Sequence, residues 1–303
     1  MTRLNHLRHT AIALLVMLPL SSASAADHPL VGTVWTGRGD PASFADIEHA
    51  AVQSDFVLIG EIHSNAEHHA TQAKLVRAMA EAGRAPTIVF EMVPRGLQGA
   101  LDAFLAQDAP DANALGEALQ WETRGWPDWA IYQPIAEAAL DAGLPMRSGD
   151  LDRDTIRAIA RGADMPGDPV AYPEALGDRI GAEIMTAHCD LMPAEAIPPM
   201  VTVQQARDLS MADAMLASDE DGAVLIAGGG HTRTDWGVPF VLHAKAPDRS
   251  VLSIGQFEVT EEGTAFADYI DEGEASLPYD FVIFTTRSDD TDDCAKLREQ
   301  MGK

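Results

Sequence analysis

The chain has 303 residues, with 47 Asp and Glu against 21 Lys and Arg, a formal charge of −26. A field of that sign repels phosphate backbones and no basic stripe reverses it locally, which excludes nucleic acid as a partner. The length suits one large domain, and two cysteines are too few to build a thiolate metal site alone.

The N-terminus carries Arg3 and Arg8, an apolar run from Ala11 to Leu20, and small residues from Ser21 to Ala26. This pattern predicts a cleavable secretory leader over residues 1–26 and a soluble periplasmic protein, since the run falls short of the roughly 20 residues a bilayer crossing needs. No later segment is apolar enough to span a membrane. Asp55 to Gly60 is a predicted strand, His63 to Asn65 a turn, and Ala66 to Ala82 a helix stopped by Gly83. Thr87 to Phe90 is the next strand, closed by Glu91-Met92-Val93-Pro94. A right-handed crossover would put Glu61 and Glu91 at the same end of neighbouring parallel strands.

Leu97 to Leu105 reads as a helix, and Asp128 caps another from Trp129 to Ala142; a strand is expected near Leu144 to Arg147. Helices follow at Asp152 to Arg161, Pro173 to His188 and Val201 to Ala217, with Pro193, Pro198 and Pro199 marking a loop. Ala223 to Ala227 restores the strand pattern, as do Val251 to Ile254 and Asp280 to Thr285, before a solvated acidic stretch at Ser288 to Asp293. The fold class is α/β, a mostly parallel sheet flanked by helices, within a single domain of residues 27–303. A mainly helical subdomain over about 96–217 is inserted in it. In an oxidising compartment Cys189 and Cys294 can pair and fasten the C-terminal tail; the sequence leaves both outcomes open.

Two turns stand out. Gly60-Glu61-Ile62-His63 and Gly228-Gly229-Gly230-His231 each follow an apolar run, and parallel strand ends share one edge of a sheet, where ligands bind. Glu61, His63, Glu91 and His231 can therefore line one crevice. With His188 they form a mixed N/O set suited to zinc, manganese or iron; the alternative is that each is a hydrogen-bonded cap or loop residue. Glu91, directly after Ile88-Val89-Phe90, needs a cationic partner, and a metal or Arg95 would serve. The triple glycine exposes amides that, with His231 and Arg233, could receive a carboxylate or an oxyanion. His68 and His69 are expected on a helix surface. Trp121, Trp126, Trp129 and Tyr132 either staple helices to the sheet or wall a flat apolar ligand, Tyr132 then offering a phenolate to iron. Gly-x-Ser-x-Gly is absent, which leaves a serine hydrolase without support.

Taken in order, Gly60-Glu61-Ile62-His63, Phe90-Glu91-Met92, Trp129-x-x-Tyr132-x-Pro134, Ala187-His188-Cys189, Gln205-Ala206-Arg207-Asp208 with Met211-Ala212, and Gly228-x-Gly230-His231 resemble the ChaN-like haem-binding uptake family of the Tiki and erythromycin-esterase-like superfamily. The resemblance implies an α/β core with a helical subdomain, an envelope location, haem as cofactor in iron uptake, and a homodimer that encloses it. It also implies haem ligation by a tyrosine, which falls best on Tyr132 and next on Tyr172; on a haem reading, the cationic Arg124 or Arg233 could offset the propionates. The lipid-attachment cysteine common in the family is missing. The superfamily's enzymes imply the other reading, a metal-dependent hydrolase of a peptide or ester. In it Glu61, Glu91 and His231 are the catalytic set: His63, His231 and one carboxylate hold the metal, the second carboxylate takes a proton from water, and the triple-glycine amides stabilise the oxyanion.

Overall fold

The computed structural model describes residues 28–289 and 293–300. The leader expected over 1–26 and part of the acidic stretch at 288–293 lie outside them. Eight strands form one sheet: β1 (Val34–Thr36), β2 (Pro41–Ala42), β3 (Phe56–Glu61), β4 (Thr87–Pro94), β5 (Met146–Asp150), β6 (Ala223–Gly228), β7 (Val251–Glu258) and β8 (Phe281–Thr285). Their order is β2-β1-β8-β7-β3-β6-β4-β5, parallel from β8 to β5, with the short β1 and β2 antiparallel at one edge. The helices in chain order are α1 (Phe44–Gln53), α2 (Ala66–Glu81), α3 (Gln98–Leu105), α4 (Ala112–Ala118), α5 (Trp129–Asp141), α6 (Arg153–Ala160), α7 (Glu174–Ala187), α8 (Ile197–Leu216), α9 (Gly229–Thr232), α10 (Val238–Lys245) and α11 (Asp293–Gln300).

Every residue of β3 is buried, as expected for a parallel strand covered on both faces. Val57 and Ile59 join Val224, Ile226, Ile47, Val76 and Ile135 on one face, under α1, α2 and α5. Phe56 and Leu58 join Leu225, Leu209, Met215 and Leu242 on the other, under α8 and α10. This alternation locks the register, because a one-residue slip would exchange the two faces. The stretch 96–217 supplies β5 to the sheet edge, α5 to the first face and α8 to the second. No helix among the described residues is long and apolar enough to cross a membrane.

Two features differ from expectation, and a third decides between outcomes the sequence leaves open. Strands β3 and β4 are not neighbours: β6 lies between them and pairs with both. The expected juxtaposition of Glu61 and Glu91 thus acquires the glycine turn in its middle. Helix α8 begins at Ile197, because Pro198 and Pro199 occupy its first turn, where a missing N–H costs nothing. Cys189 and Cys294 are joined by a disulfide, Cα atoms 5.5 Å apart, which ties α11 to the end of α7.

Candidate functional site

The crevice forms where β3, β6 and β4 end. Pairing of β4 with β6 stops at Phe90 and Ile226, and the β4–β5 register is irregular between Phe90 and Pro94. Glu91 therefore lies beyond the β4–β6 ladder, and the unpaired amide of Gly228 donates to its Oε2 at 2.6 Å. Gly228 is confined by this arrangement: a Cβ there would lie 3.2 Å from His63 Nε2 and 3.5 Å from Glu91 Oε2. Gly60 is tighter, since a Cβ would approach Thr232 Oγ1 to 2.4 Å. The two glycine turns are packed against each other.

Glu91 is buried and central. Arg207 Nη2 donates to its Oε1 at 2.6 Å and to Asp150 Oδ2 at 2.7 Å, so one guanidinium bridges the ends of β4 and β5. His63 Nε2 lies 3.8 Å and His231 Nε2 3.6 Å from the same Oε1. Each imidazole is held from behind: His63 Nδ1 lies 2.8 Å from Glu61 Oε1, and His231 Nδ1 2.6 Å from Asp208 Oδ1. Gln204 Nε2, 3.0 Å from the same His231 nitrogen, completes that side. Glu61 also accepts from Tyr132 OH at 2.6 Å and Gln72 Nε2 at 2.7 Å, while His69 Nε2 lies 3.3 Å from its Oε2.

These contacts set the charges. Burial pushes Glu91 up, but His231, His63, Arg207 and the Gly228 amide outweigh it and hold the carboxyl at about 2. Burial pushes His63 down, and the carboxylates of Glu91 and Glu61 lift it to about 9, so the imidazole is protonated at neutral pH. Glu61, raised by burial and lowered by hydrogen bonds from His63 and His69, stays well below the usual carboxylate range. Burial carries Asp208 up to about 6, against the pull of His231.

The structure brings Glu61, His63, Glu91 and His231 together and leaves His188 apart. His188 caps α7, its Nδ1 2.7 Å from the Ile184 carbonyl, with no hydrogen bond or ion pair to the other four. Among the described residues no group of three or more His, Cys, Asp or Glu side chains is arranged to hold a metal ion. The divalent-metal set Glu61, His63, Glu91, His188 and His231 is therefore not supported, for a physical reason: Arg207 already supplies the cation at Glu91. Arg95, named as another partner for Glu91, instead points a donor at the Ser210 carbonyl. His68 and His69 are fully buried rather than on a helix surface. The first accepts from the Ile62 amide at its Nδ1, and the second packs its ring 3.9 Å from that of Tyr132.

Sequence reasoning missed Arg207, Asp208, Asp150 and Gln72 as members of the site. The available signal was an adjacent Arg207-Asp208 pair flanked by Ala206 and Leu209, which face inward. Of the aromatic group, Trp121 and Trp129 are buried and bonded to the Pro127 and Ala112 carbonyls. Trp126 instead sets its ring edge against His63, with centroids 4.9 Å apart. Arg233 is already matched by Asp235 and Glu183 and lies over the Trp236 ring at 3.7 Å.

No curated protein matches the chain significantly. Among solved structures, ChaN of Campylobacter jejuni, described as binding haem cofacially, superposes with a TM-score of 0.69 at 21% identity, covering 83% of this chain and 95% of that one. The type III effector HopBA1 gives 0.45 at 16% identity, covering 79% and 91%, and the erythromycin esterase EreC gives 0.39 at 14%, covering 84% and 83%. The first is a likeness of fold, and the other two are distant. The model of the haem-binding uptake family (ChaN, Tiki superfamily) matches residues 47–242, from within α1 to within α10 and across the whole crevice, and the chain belongs to that family.

Proposed function

We propose that this protein binds haem in iron or haem uptake, is exported by its N-terminal leader to the periplasm, and works as a homodimer. The observation that carries the haem reading is the family match over residues 47–242, which contains both glycine turns. The C. jejuni relative, whose cofacial haem binding is described, supports it through the fold. The crevice rim suits a flat apolar face: Ile62 is 39% exposed, the only large hydrophobic so exposed among the described residues. Next to it in the chain is the partly open imidazole of His63, 33% exposed, against whose ring Trp126 packs.

The phenols do not suit the iron. Tyr132 is fully buried and donates to Glu61, and burial together with that carboxylate raises its pKa far beyond reach of a phenolate. Tyr172 donates to the Trp236 carbonyl, Tyr269 to Gly263 and Tyr279 to Gly229. All four tyrosines of the chain thus donate to internal acceptors, and this reading assigns the iron to neither Tyr132 nor Tyr172. Titrating the purified protein with ferric haem tests the reading. A saturable shift of the Soret band, equal in wild type and Tyr132→Phe, is expected; a free-haem spectrum throughout would rule haem binding out.

A second reading rests on the crevice. Two imidazoles anchored by carboxylates face Glu91 Oε1 at distances too long for direct hydrogen bonds and short enough for one shared small molecule. A protonated His63 can donate to the leaving group while the Glu91 carboxylate orients water and His231 Nε2 takes its proton, which describes hydrolysis of an ester or peptide with Glu61 and Asp208 as orienters. Hydrolysis of an activated ester, lost in Glu91→Gln and His63→Gln and unaffected by a chelator, would favour it.

A further inference from the structure

Of the two arginines that the sequence nominates to meet a ligand's carboxylate, the structure neutralises Arg233 and leaves Arg124 without a counter-ion. Arg124 lies between the single 3₁₀ turn Trp121–Thr123 and α5. Its Nη1 donates to the Met92 carbonyl, one residue beyond Glu91, and its guanidinium carbon sits 5.3 Å from the Trp121 ring centroid. Its Nε and Nη2 are shielded from solvent and find no acceptor among the described residues. In a chain with 47 acidic residues, none of those described forms an ion pair with it. Burial lowers its pKa to about 10, which still leaves it charged.

A desolvated cation with idle donors is costly unless something else supplies the charge, and a guanidinium is shaped to take a carboxylate by two parallel hydrogen bonds. Arg124 is also in the right place. Two residues on, Trp126 packs against His63 at the open side of the crevice, and the Met92 carbonyl that Arg124 grips extends the strand carrying Glu91. We propose that Arg124 is the receptor for a carboxylate of the ligand seated at the crevice rim, which on the haem reading, on which this inference rests, is a propionate. Because Nε and Nη2 are covered, the segment 121–128 yields slightly as the carboxylate enters.

Two probes, ferric haem and its dimethyl ester, in which both propionates are uncharged, test this on wild type, Arg124→Met and Arg124→Lys. Wild type should bind the free acid roughly 10- to 100-fold more tightly than the ester, the worth of one charge-assisted pair. Arg124→Met should bind both alike, at the weaker level, and Arg124→Lys should recover part of the preference. Removing an uncompensated buried charge does not threaten folding, so Arg124→Met should melt no lower than wild type. The comparison of the two probes on wild type needs no variant at all. Equal affinity of wild type for acid and ester, or an undiminished preference in Arg124→Met, overturns the proposal while leaving haem binding intact. Absence of binding to either probe by wild type overturns the haem reading and this proposal with it.

Discussion

Replacing Arg207 by Met removes the guanidinium shared by Glu91 and Asp150, both buried, leaving Asp150 without its cation and Glu91 with the His63 imidazolium at 3.8 Å as its remaining one. Breaking a buried ion pair from one side costs about 3–5 kcal/mol. For a domain of this size that is a fall in Tm of about 6–20 °C. The effect carries a pH signature. Glu91 titrates at about 2 in the folded protein against an ordinary 4.5, so the stability it contributes is complete above about pH 4.5 and drains away as pH falls toward 2. In Arg207→Met that carboxyl protonates more readily, and the penalty should be largest near pH 7 and shrink at about pH 3. Urea unfolding of both proteins at the two pH values measures this directly, and Arg207→Met/Glu91→Gln should recover part of the loss. An Arg207→Met midpoint equal to wild type at neutral pH would show that the guanidinium does not hold the crevice together.

Other consequences are equally accessible. The elevated pKa of His63, about 9 against 6.5, means that its stabilisation is present below about pH 6.5 and is lost as pH rises through 9; an NMR titration of this imidazole should show a midpoint near 9, and a midpoint near 6.5 would separate it from Glu61 and Glu91. His68 is held down at about 4 by burial, so it favours the unfolded state as pH drops from about 6.5 to 4, and His68→Asn should flatten the acid limb of a thermal melt in that window. Gly60→Ala drives a methyl into Thr232 Oγ1 and Gly229 and should cost roughly 1–3 kcal/mol, with a wild-type melting curve contradicting the packing of the two turns. Under denaturing, non-reducing conditions a thiol reagent should find no free cysteine, and after reduction it should label both Cys189 and Cys294; labelling before reduction would contradict the disulfide.

Local signals made the centre of the sheet legible. The apolar runs before Gly60 and Gly228 could only be buried strands, and histidines just past two strand ends of a parallel sheet meet by topology. What escaped notice depends on distant contacts. The insertion of β6 between β3 and β4 is a pairing choice that neither strand's pattern encodes. Arg207 reaches Glu91 and Asp150 from α8, across 116 and 57 positions of sequence, and no spacing rule connects them. The antiparallel pair β1 and β2 is too short to show a period of two, and α8 extends back through Pro198 and Pro199 because proline is tolerated where a helix begins. The burial of His68 and His69 follows from the way α2 packs over β3, which turns a polar pair inward against Glu61 and Thr285. The bond from Tyr132 to Glu61 is equally illegible in sequence: a tyrosine in an aromatic cluster reads as a ligand wall, and the carboxylate beneath it lies 71 positions away.

The most direct test of the account is where haem sits. Ferric haem is paramagnetic and broadens NMR signals near it. Added to isotope-labelled protein, it should first erase the resonances of Ile62, Trp126 and the His63 ring while sparing those of α7 and its neighbours around His188. Broadening centred on α7, or spread evenly with no saturation, would contradict a ligand seated at the rim where Glu61, His63, Glu91 and His231 converge.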